Sequence, residues 1–360
     1  MKHLNGITVL VLGLGEPALA MARWCARCGA NVRVWDSREA PPQAAALAEH
    51  VPGAVVASGE LTDELLADVQ LVLKSPGLAP ADERIAGPVA RAADRGVLVQ
   101  GELELFARAL DDLKAERGYA PKAVAITGTN GKTTTTAMAA LMIERAGRRV
   151  AMAGNVGPTM LQTLADALAL EPEVGAVDEA AGPHPSPLPE GEGAGPVGSD
   201  VQSALDVDVD ADADEAADEF LPSPPGRGTE GEGAAPQDDE APLELAPPPP
   251  AAPVFEHLPE VWVLELSSFQ LDDAKGFEPH AAAVLNITQD HLDWHGTMAA
   301  YVEAKARIFG KHAVMVINRD DPAVEKLVPE PIPQKGRNAK PIERTVLRFG
   351  LDAPQRPGDF

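Results

Sequence analysis

Val124-Ala-Ile-Thr-Gly-Thr-Asn-Gly-Lys-Thr-Thr134 reads as an apolar strand, a loop holding Gly128 and Gly131, and a helix opened by Lys132 and Thr133. Successive backbone N–H groups and a helix N-terminus wrap a phosphate. A lysine at this place neutralises β/γ oxygens, and the Thr133 hydroxyl can ligate Mg²⁺. The usual phosphate-loop spacing asks for glycine at 126, where this chain has Ile126, so the loop is a shortened variant with its first glycine two places late. The stretch nominates Gly128, Thr129, Asn130, Gly131, Lys132, Thr133 and Thr134 as a nucleotide cradle on an α/β fold.

Downstream, the unit continues through β-rich runs at Arg149 to Ala153, Val261 to Leu266, Ala281 to Asn286 and Ala313 to Asn318, with helices near Pro158 to Ala169 and Met298 to Phe309. A phosphate-loop enzyme needs an acidic metal ligand at the end of a neighbouring strand, and Val261-Trp-Val-Leu-Glu265 offers Glu265. An unpartnered carboxylate ending an apolar run is costly without a cation. Taken alone, Glu265 fits a solvated strand end equally well. Asp290-His291-Leu-Asp293 follows the strand at 281–286, which puts His291 at the carboxyl edge of a parallel sheet, where α/β enzymes keep their sites. Lys305, in Tyr301-Val-Glu-Ala-Lys-Ala-Arg-Ile-Phe309, lies on an amphipathic helix and reads as a solvated surface lysine.

Upstream, residues 1–117 alternate short runs (Ile7 to Leu12, Asn31 to Trp35, Leu71 to Lys74, Val97 to Gln100) with alanine-rich helical stretches, the pattern of βαβ units and a parallel sheet. Gly13-Leu-Gly15-Glu-Pro-Ala18 follows the first run and Asp36 ends the next. Such glycines admit a phosphate to the backbone, and such an acid meets a ribose or similar hydroxyl. Lys74-Ser-Pro-Gly77 adds a turn with N–H groups in the same crevice. Two nucleotide-type sites in tandem imply two nucleotide-bearing ligands.

Residues 172–257 interrupt the second unit. This stretch holds 16 of the chain's 34 prolines, and Phe220 and Phe255 are its aromatics. Residues 171–257 carry 22 acidic residues against Arg227 alone. High charge with little to bury implies a disordered insert. Most of the net charge of −25 resides there. An acidic chain repels phosphate backbones and anionic lipid, which argues against a nucleic-acid or membrane-surface binder. Cys25 and Cys28 cannot build a disulfide framework and read as packed thiols in a reducing compartment. Gly13, Gly15, Glu16 and Pro17 break what would otherwise resemble a signal-peptide core. A cytoplasmic monomer is expected.

Four features together resemble the Mur ligases of peptidoglycan synthesis: Ile126-Thr-Gly-Thr-Asn-Gly-Lys-Thr133, Leu264-Glu-Leu-Ser-Ser-Phe-Gln-Leu271, Asn286-Ile-Thr-Gln-Asp-His291, and an N-terminal unit bearing Gly13-Leu-Gly15, Asp36-Ser-Arg38 and Ser75-Pro-Gly77. Glu-Leu-Ser-Ser-Phe-Gln-Leu resembles the branch that adds D-glutamate. The resemblance implies a Rossmann-like parallel-sheet domain over 1–117 that binds a UDP-sugar. A P-loop mononucleotide-binding α/β domain would follow over 118–360, incomplete at its carboxyl end and broken by the long disordered insertion. A C-terminal domain for D-glutamate is expected to be absent.

The resemblance further implies that ATP phosphorylates the alanyl carboxylate of UDP-N-acetylmuramoyl-L-alanine and that the amine of D-glutamate attacks the acyl phosphate. Thr133 and Glu265 would hold one Mg²⁺; His291 and a carbamylated Lys305 would hold another. Lys132, His291 and Lys305 would be catalytic. Leu14, Asp36, Ser37, Arg38, Ser75 and Gly77 would hold UDP, and Asn155, Gln270 and His291 would face the muramoyl-alanine end. As given, the chain is expected to bind substrates but turn over poorly, because closure of the third domain completes the site. Three other readings stand beside this one: a truncated UDP-sugar- or ATP-binding protein without ligation, another Mur-type ligase, and an NAD-dependent oxidoreductase resting on the first glycine turn and Asp36.

Overall fold

The computed structural model describes residues 2–172, 254–330 and 343–360. The expected insert falls almost wholly on 173–253, outside the described residues.

Among the described residues two parallel sheets form. The first has strands β1 (Thr8–Leu12), β2 (Asn31–Asp36), β3 (Val55–Ser58), β4 (Leu71–Lys74) and β5 (Leu98–Gln100), in the spatial order β3-β2-β1-β4-β5. Its helices are α1 (Glu16–Arg27), α2 (Ala44–His50), α3 (Ala86–Asp94) and α4 (Glu102–Arg117). β1 and β4 are buried almost throughout, as central strands of a covered parallel sheet must be. They pair in the register Leu12↔Lys74, with Leu12↔Trp35 on the other side. Strand order reverses between β1 and β4, the position at whose carboxyl ends open parallel sheets bind ligands.

α4 carries Glu102 and Glu104 in its first turn and Lys114 and Arg117 in its last, favourable at both ends of the helix dipole. Left-handed Gly118 stops it. The chain then enters the second sheet: β6 (Lys122–Thr127), α5 (Lys132–Arg145), β7 (Val150–Gly154), α6 (Met160–Leu170), β8 (Val261–Glu265), α7 (Ser268–Asp272), β9 (Ala281–Val284), α8 (Leu292–His295), α9 (Met298–Ala306), β10 (Val314–Asn318), α10 (Pro322–Glu325) and β11 (Val346–Phe349). The spatial order is β11-β10-β9-β6-β8-β7, so strand order reverses beside β6.

One apolar core is continuous across both sheets through α1, α4 and α6. Phe106 of α4 meets Trp262 of β8 edge-on at 4.9 Å, and the Trp262 indole N–H donates to the Tyr119 hydroxyl, which donates to the Pro259 carbonyl. The seam also holds polar ties: Arg23 donates to Gln162 at 2.6 Å, and Glu102 accepts the Leu161 N–H at 3.0 Å.

Strand boundaries differ from expectation by a residue or two, the helix expected to reach Phe309 ends at Ala306 in a 3-10 turn, and the short helices α7, α8 and α10 were not expected. β3 has no counterpart in the sequence reading because it is a four-residue edge strand with Val55 and Val56 more than half exposed. The strand expected over 281–286 stops at Val284, since Asn286 turns to bond the phosphate loop. Cys25 is fully buried, and burial raises both thiols, Cys28 to about 11, as packed thiols require. No helix among the described residues is long and apolar enough to cross a membrane.

Candidate active site

The glycine loop leaves the carboxyl end of β6 beside β8 and β9. Gly131 caps α5 at φ 80°, a conformation open to glycine, which turns the chain so that the loop's N–H groups and the helix start face one side. The segment after β9 fixes the loop. Thr129 N–H donates to the Asn286 carbonyl, Asn130 N–H donates to Asn286 Oδ1 at 2.8 Å, and Asn286 Nδ2 returns a bond to the Asn130 carbonyl. The Thr129 hydroxyl meets Tyr301 at 3.0 Å and accepts the Thr288 N–H. These braces explain how the loop holds its shape with Ile126 where a longer phosphate loop has glycine. Lys132 Nζ lies over the mouth, donating to the Gly128 and Thr129 carbonyls at 3.1 and 3.0 Å. Thr133 and Thr134 are exposed in the first turn of α5.

Lys305 corrects the sequence reading. It is 2 % exposed, with Nζ donating to the Gly128 carbonyl at 2.9 Å and lying 4.8 Å above the Tyr301 ring. Burial, reinforced by the nearby Lys132 charge, lowers its pKa to about 7, so a large share of the amine is uncharged at neutral pH. The missed signal is helical spacing: Tyr301, Ala304, Lys305 and Ile308 share one buried stripe.

Glu265 ends β8 at 2 % exposure. Its Oε1 accepts from Asn155 Nδ2 at 2.9 Å, while Oε2 is buried without a partner. Gly154 permits this approach, because a Cβ there would lie 2.2 Å from the Glu265 carbonyl oxygen at φ 121°. A buried carboxylate oxygen without a partner, on the strand paired with the one that leads into the phosphate loop, is the chemistry a hard cation would satisfy. The solvated-strand-end reading of Glu265 is thereby excluded.

His291 is the one non-glycine residue among those described with positive φ, 50°, a sparsely populated conformation that marks functional sites. Its Nε2 lies 3.3 Å from Asp290, and its ring packs on Phe269 at 4.7 Å. Gln270 does less than expected for a ligand-facing group: its Oε1 accepts from the Ser267 N–H and hydroxyl in the capping box that opens α7.

In the first crevice, Asp36 is not a bare acid awaiting a hydroxyl. It is 3 % exposed, accepts Leu14 N–H at 2.7 Å, and takes a two-pronged guanidinium bond from Arg38 at 2.8 and 2.7 Å. The Arg38 bond holds its pKa down at about 2. Ser37 accepts from Arg84, itself paired with Asp82, so a second arginine that sequence reasoning missed stands beside Arg38. Ser75 N–H donates to the Leu12 carbonyl, Leu78 N–H closes the turn onto Ser75, and Gly77 faces open space.

The model of the Mur ligase middle domain matches residues 126–180 and 232–340, and that of the MurD-like N-terminal domain matches 7–101. The UDP-N-acetylmuramoylalanine--D-glutamate ligase of Albidiferax ferrireducens is 43 % identical over all of this chain and 54 % of its own length. The ligase of the same name from Paraburkholderia xenovorans is 40 % identical over 98 % of this chain and 51 % of its own. The chain therefore spans about half the length of the curated relatives it matches. The solved UDP-N-acetylmuramate:L-alanyl-gamma-D-glutamyl-meso-diaminopimelate ligase from Neisseria meningitides matches over 96 % of this chain and 78 % of its own at 15 % identity, with a TM-score of 0.43.

Proposed function

The chain belongs to the Mur ligase family, and on that premise we propose that it serves an ATP-dependent ligase adding D-glutamate to UDP-N-acetylmuramoyl-L-alanine in cytoplasmic peptidoglycan-precursor synthesis. The observation that carries the reading is the second sheet's carboxyl edge, where a phosphate loop, a buried carboxylate with one unpartnered oxygen and a desolvated lysine meet. The relatives' shared name and the discriminating Glu265 to Leu271 string support the substrate assignment.

Residues 1–117 are assigned to UDP, through Leu14, Asp36, Ser37, Arg38, Ser75 and Gly77, and residues 118–360 to ATP, through Gly128 to Thr134. Arg38 and the backbone N–H groups of the two turns suit a diphosphate, while buried Asp36 sets Arg38 and Leu14 in place. Asn155, Gln270 and His291 are assigned to the muramoyl-alanine end. D-glutamate is assigned to the portion of the relatives' length that this chain does not span.

In the reaction, an oxygen of the alanyl carboxylate bonds to the γ-phosphorus of ATP as the bond to ADP breaks. The amine of D-glutamate then bonds to the acyl carbon, phosphate departs with its oxygen, and the amine loses a proton. Lys132 neutralises the transferring group. Thr133 and Glu265 would hold Mg²⁺, with His291 and Lys305 at a second such ion. Magnesium would supply charge neutralisation at the phosphates. Lys305 would suit this only as a carbamate: its uncharged amine would bond to the carbon of CO₂ and release one proton, turning a neutral amine into an anionic oxygen donor. In protein spanning the relatives' full length, phosphate release is expected to require D-glutamate and the UDP-sugar together. Release that ignores either would overturn the assignment.

A further inference from the structure

Lys74 ends β4, whose other three residues are wholly apolar and buried, and it is itself 4 % exposed. A buried ammonium requires a partner for each of its three protons. Lys74 Nζ donates to the Leu78 carbonyl at 3.1 Å, pairs with Asp273 Oδ2 at 3.0 Å, and lies 5.2 Å over the Trp294 ring. Those partners come from three different segments. Leu78 closes the Ser75–Gly77 turn of the first crevice, Asp273 caps the carboxyl end of α7 three residues after Gln270, and Trp294 lies on α8 three residues after His291.

We propose that Lys74 is a positioning residue that locks the nucleotide-sugar turn of the first sheet to the Gln270 and His291 segments of the second, so that one UDP-sugar can reach both edges at once. The inference rests on the assignment of that ligand made above. Lys74 shapes the turn through Leu78 and fixes its place through Asp273 and Trp294, so losing the charge loosens the turn and releases it together. The rest of the seam has its own tie: Glu104 accepts the N–H groups of Lys275 and Gly276, both at 3.0 Å. The Asp273 segment therefore stays anchored to α4 without Lys74, and a Lys74 variant is expected to fold.

The test is calorimetric titration of the full chain and its variants with UDP-N-acetylmuramoyl-L-alanine and, separately, with Mg·ATP. K74M keeps the apolar stem and is expected to weaken the UDP-sugar at least tenfold while ATP affinity stays within twofold. K74R is expected to stay within about threefold of wild type, and the charge-exchanged K74D/D273K to recover most of what K74D alone loses. K74M binding the UDP-sugar like wild type, or losing both ligands equally, would overturn the proposal. Amide exchange separates this inference from the ligand assignment. If wild type fails to bind the UDP-sugar, that assignment falls, and the lock is then read from the Leu78 amide alone. Exchange at least tenfold faster in K74M upholds it, and unchanged exchange overturns it.

Discussion

At the carboxyl edge of the first sheet, charge is settled within the protein. Asp36 is saturated by Leu14 and Arg38, and Ser37 is bonded by Arg84. At the edge of the second sheet it is left unsettled. Glu265 keeps a buried oxygen without a partner, Lys305 is a desolvated amine against a second lysine, and His291 holds a strained backbone. The difference separates two tasks on one chain. On the function proposed above, the first crevice would present fixed groups to a ligand that must be placed, whereas the second would store electrostatic cost for ions and phosphates to relieve.

The largest effect is expected at Lys305 in protein freed of metal and bicarbonate. Its folded-state pKa is lowered from 10.5 to about 7. The folded protein thus binds fewer protons than the unfolded chain between those values, and stability rises with pH across that window. The cost is fully present below about pH 7 and gone above 10.5, with a ceiling of about 4–5 kcal/mol. K305M is expected to unfold at higher denaturant than wild type at pH 6.5 and to lose that advantage by pH 10.5. Equal midpoints at both values would erase the contrast between the crevices.

Next is Lys132. Truncation to alanine removes the cation over the loop mouth, and ATP affinity is expected to fall about a hundredfold, a change of ~2.7 kcal/mol, with UDP-sugar affinity unchanged. A matching loss of both ligands would mean that the sites are not separate.

In the first crevice, D36N puts an amide donor against the Leu14 N–H and the Arg38 guanidinium. It is expected to cost about 2 kcal/mol of stability at pH 7 and to weaken UDP-sugar binding alone. Because its folded pKa is depressed, Asp36 contributes above pH 3.8 and that contribution is lost as pH falls through about 2. The wild-type advantage over D36N is therefore expected to shrink in acid unfolding.

The seam carries a pH-dependent effect of its own. Burial raises Glu102 to about 7, and its Oε2 has no partner. Its contribution is present below pH 4.5 and lost as pH rises through about 7. E102Q is expected to gain up to about 3 kcal/mol over wild type at pH 8 and nothing at pH 4, read from urea midpoints.

Much of this was legible in the letters. Apolar runs mark the buried strands because parallel strands are covered on both faces, and the Thr127 to Thr134 loop announces its own strand and helix. Edge strand β3 escaped because its valines face solvent and carry no burial pattern. At the site, residue types were legible but their states were not. Whether Glu265 has a spare oxygen, or Asp36 none, depends on Asn155 and Leu14 arriving from other segments and on Arg38, two residues along, folding back onto Asp36. Lys305 and Lys74 were misjudged or passed over because a lysine is read as solvated by default. In both, the neighbouring spacing or strand signalled burial.

The account's central claim is that one chain carries two distinct nucleotide sites. The direct measurement is titration of wild-type chain with Mg·ATP, with UDP-N-acetylmuramoyl-L-alanine, and with each in the presence of the other. Two independent one-to-one sites, with E265Q weakening Mg·ATP alone, is the expected result. Displacement of one ligand by the other, or NADH occupying the first crevice while the UDP-sugar does not bind, would contradict it.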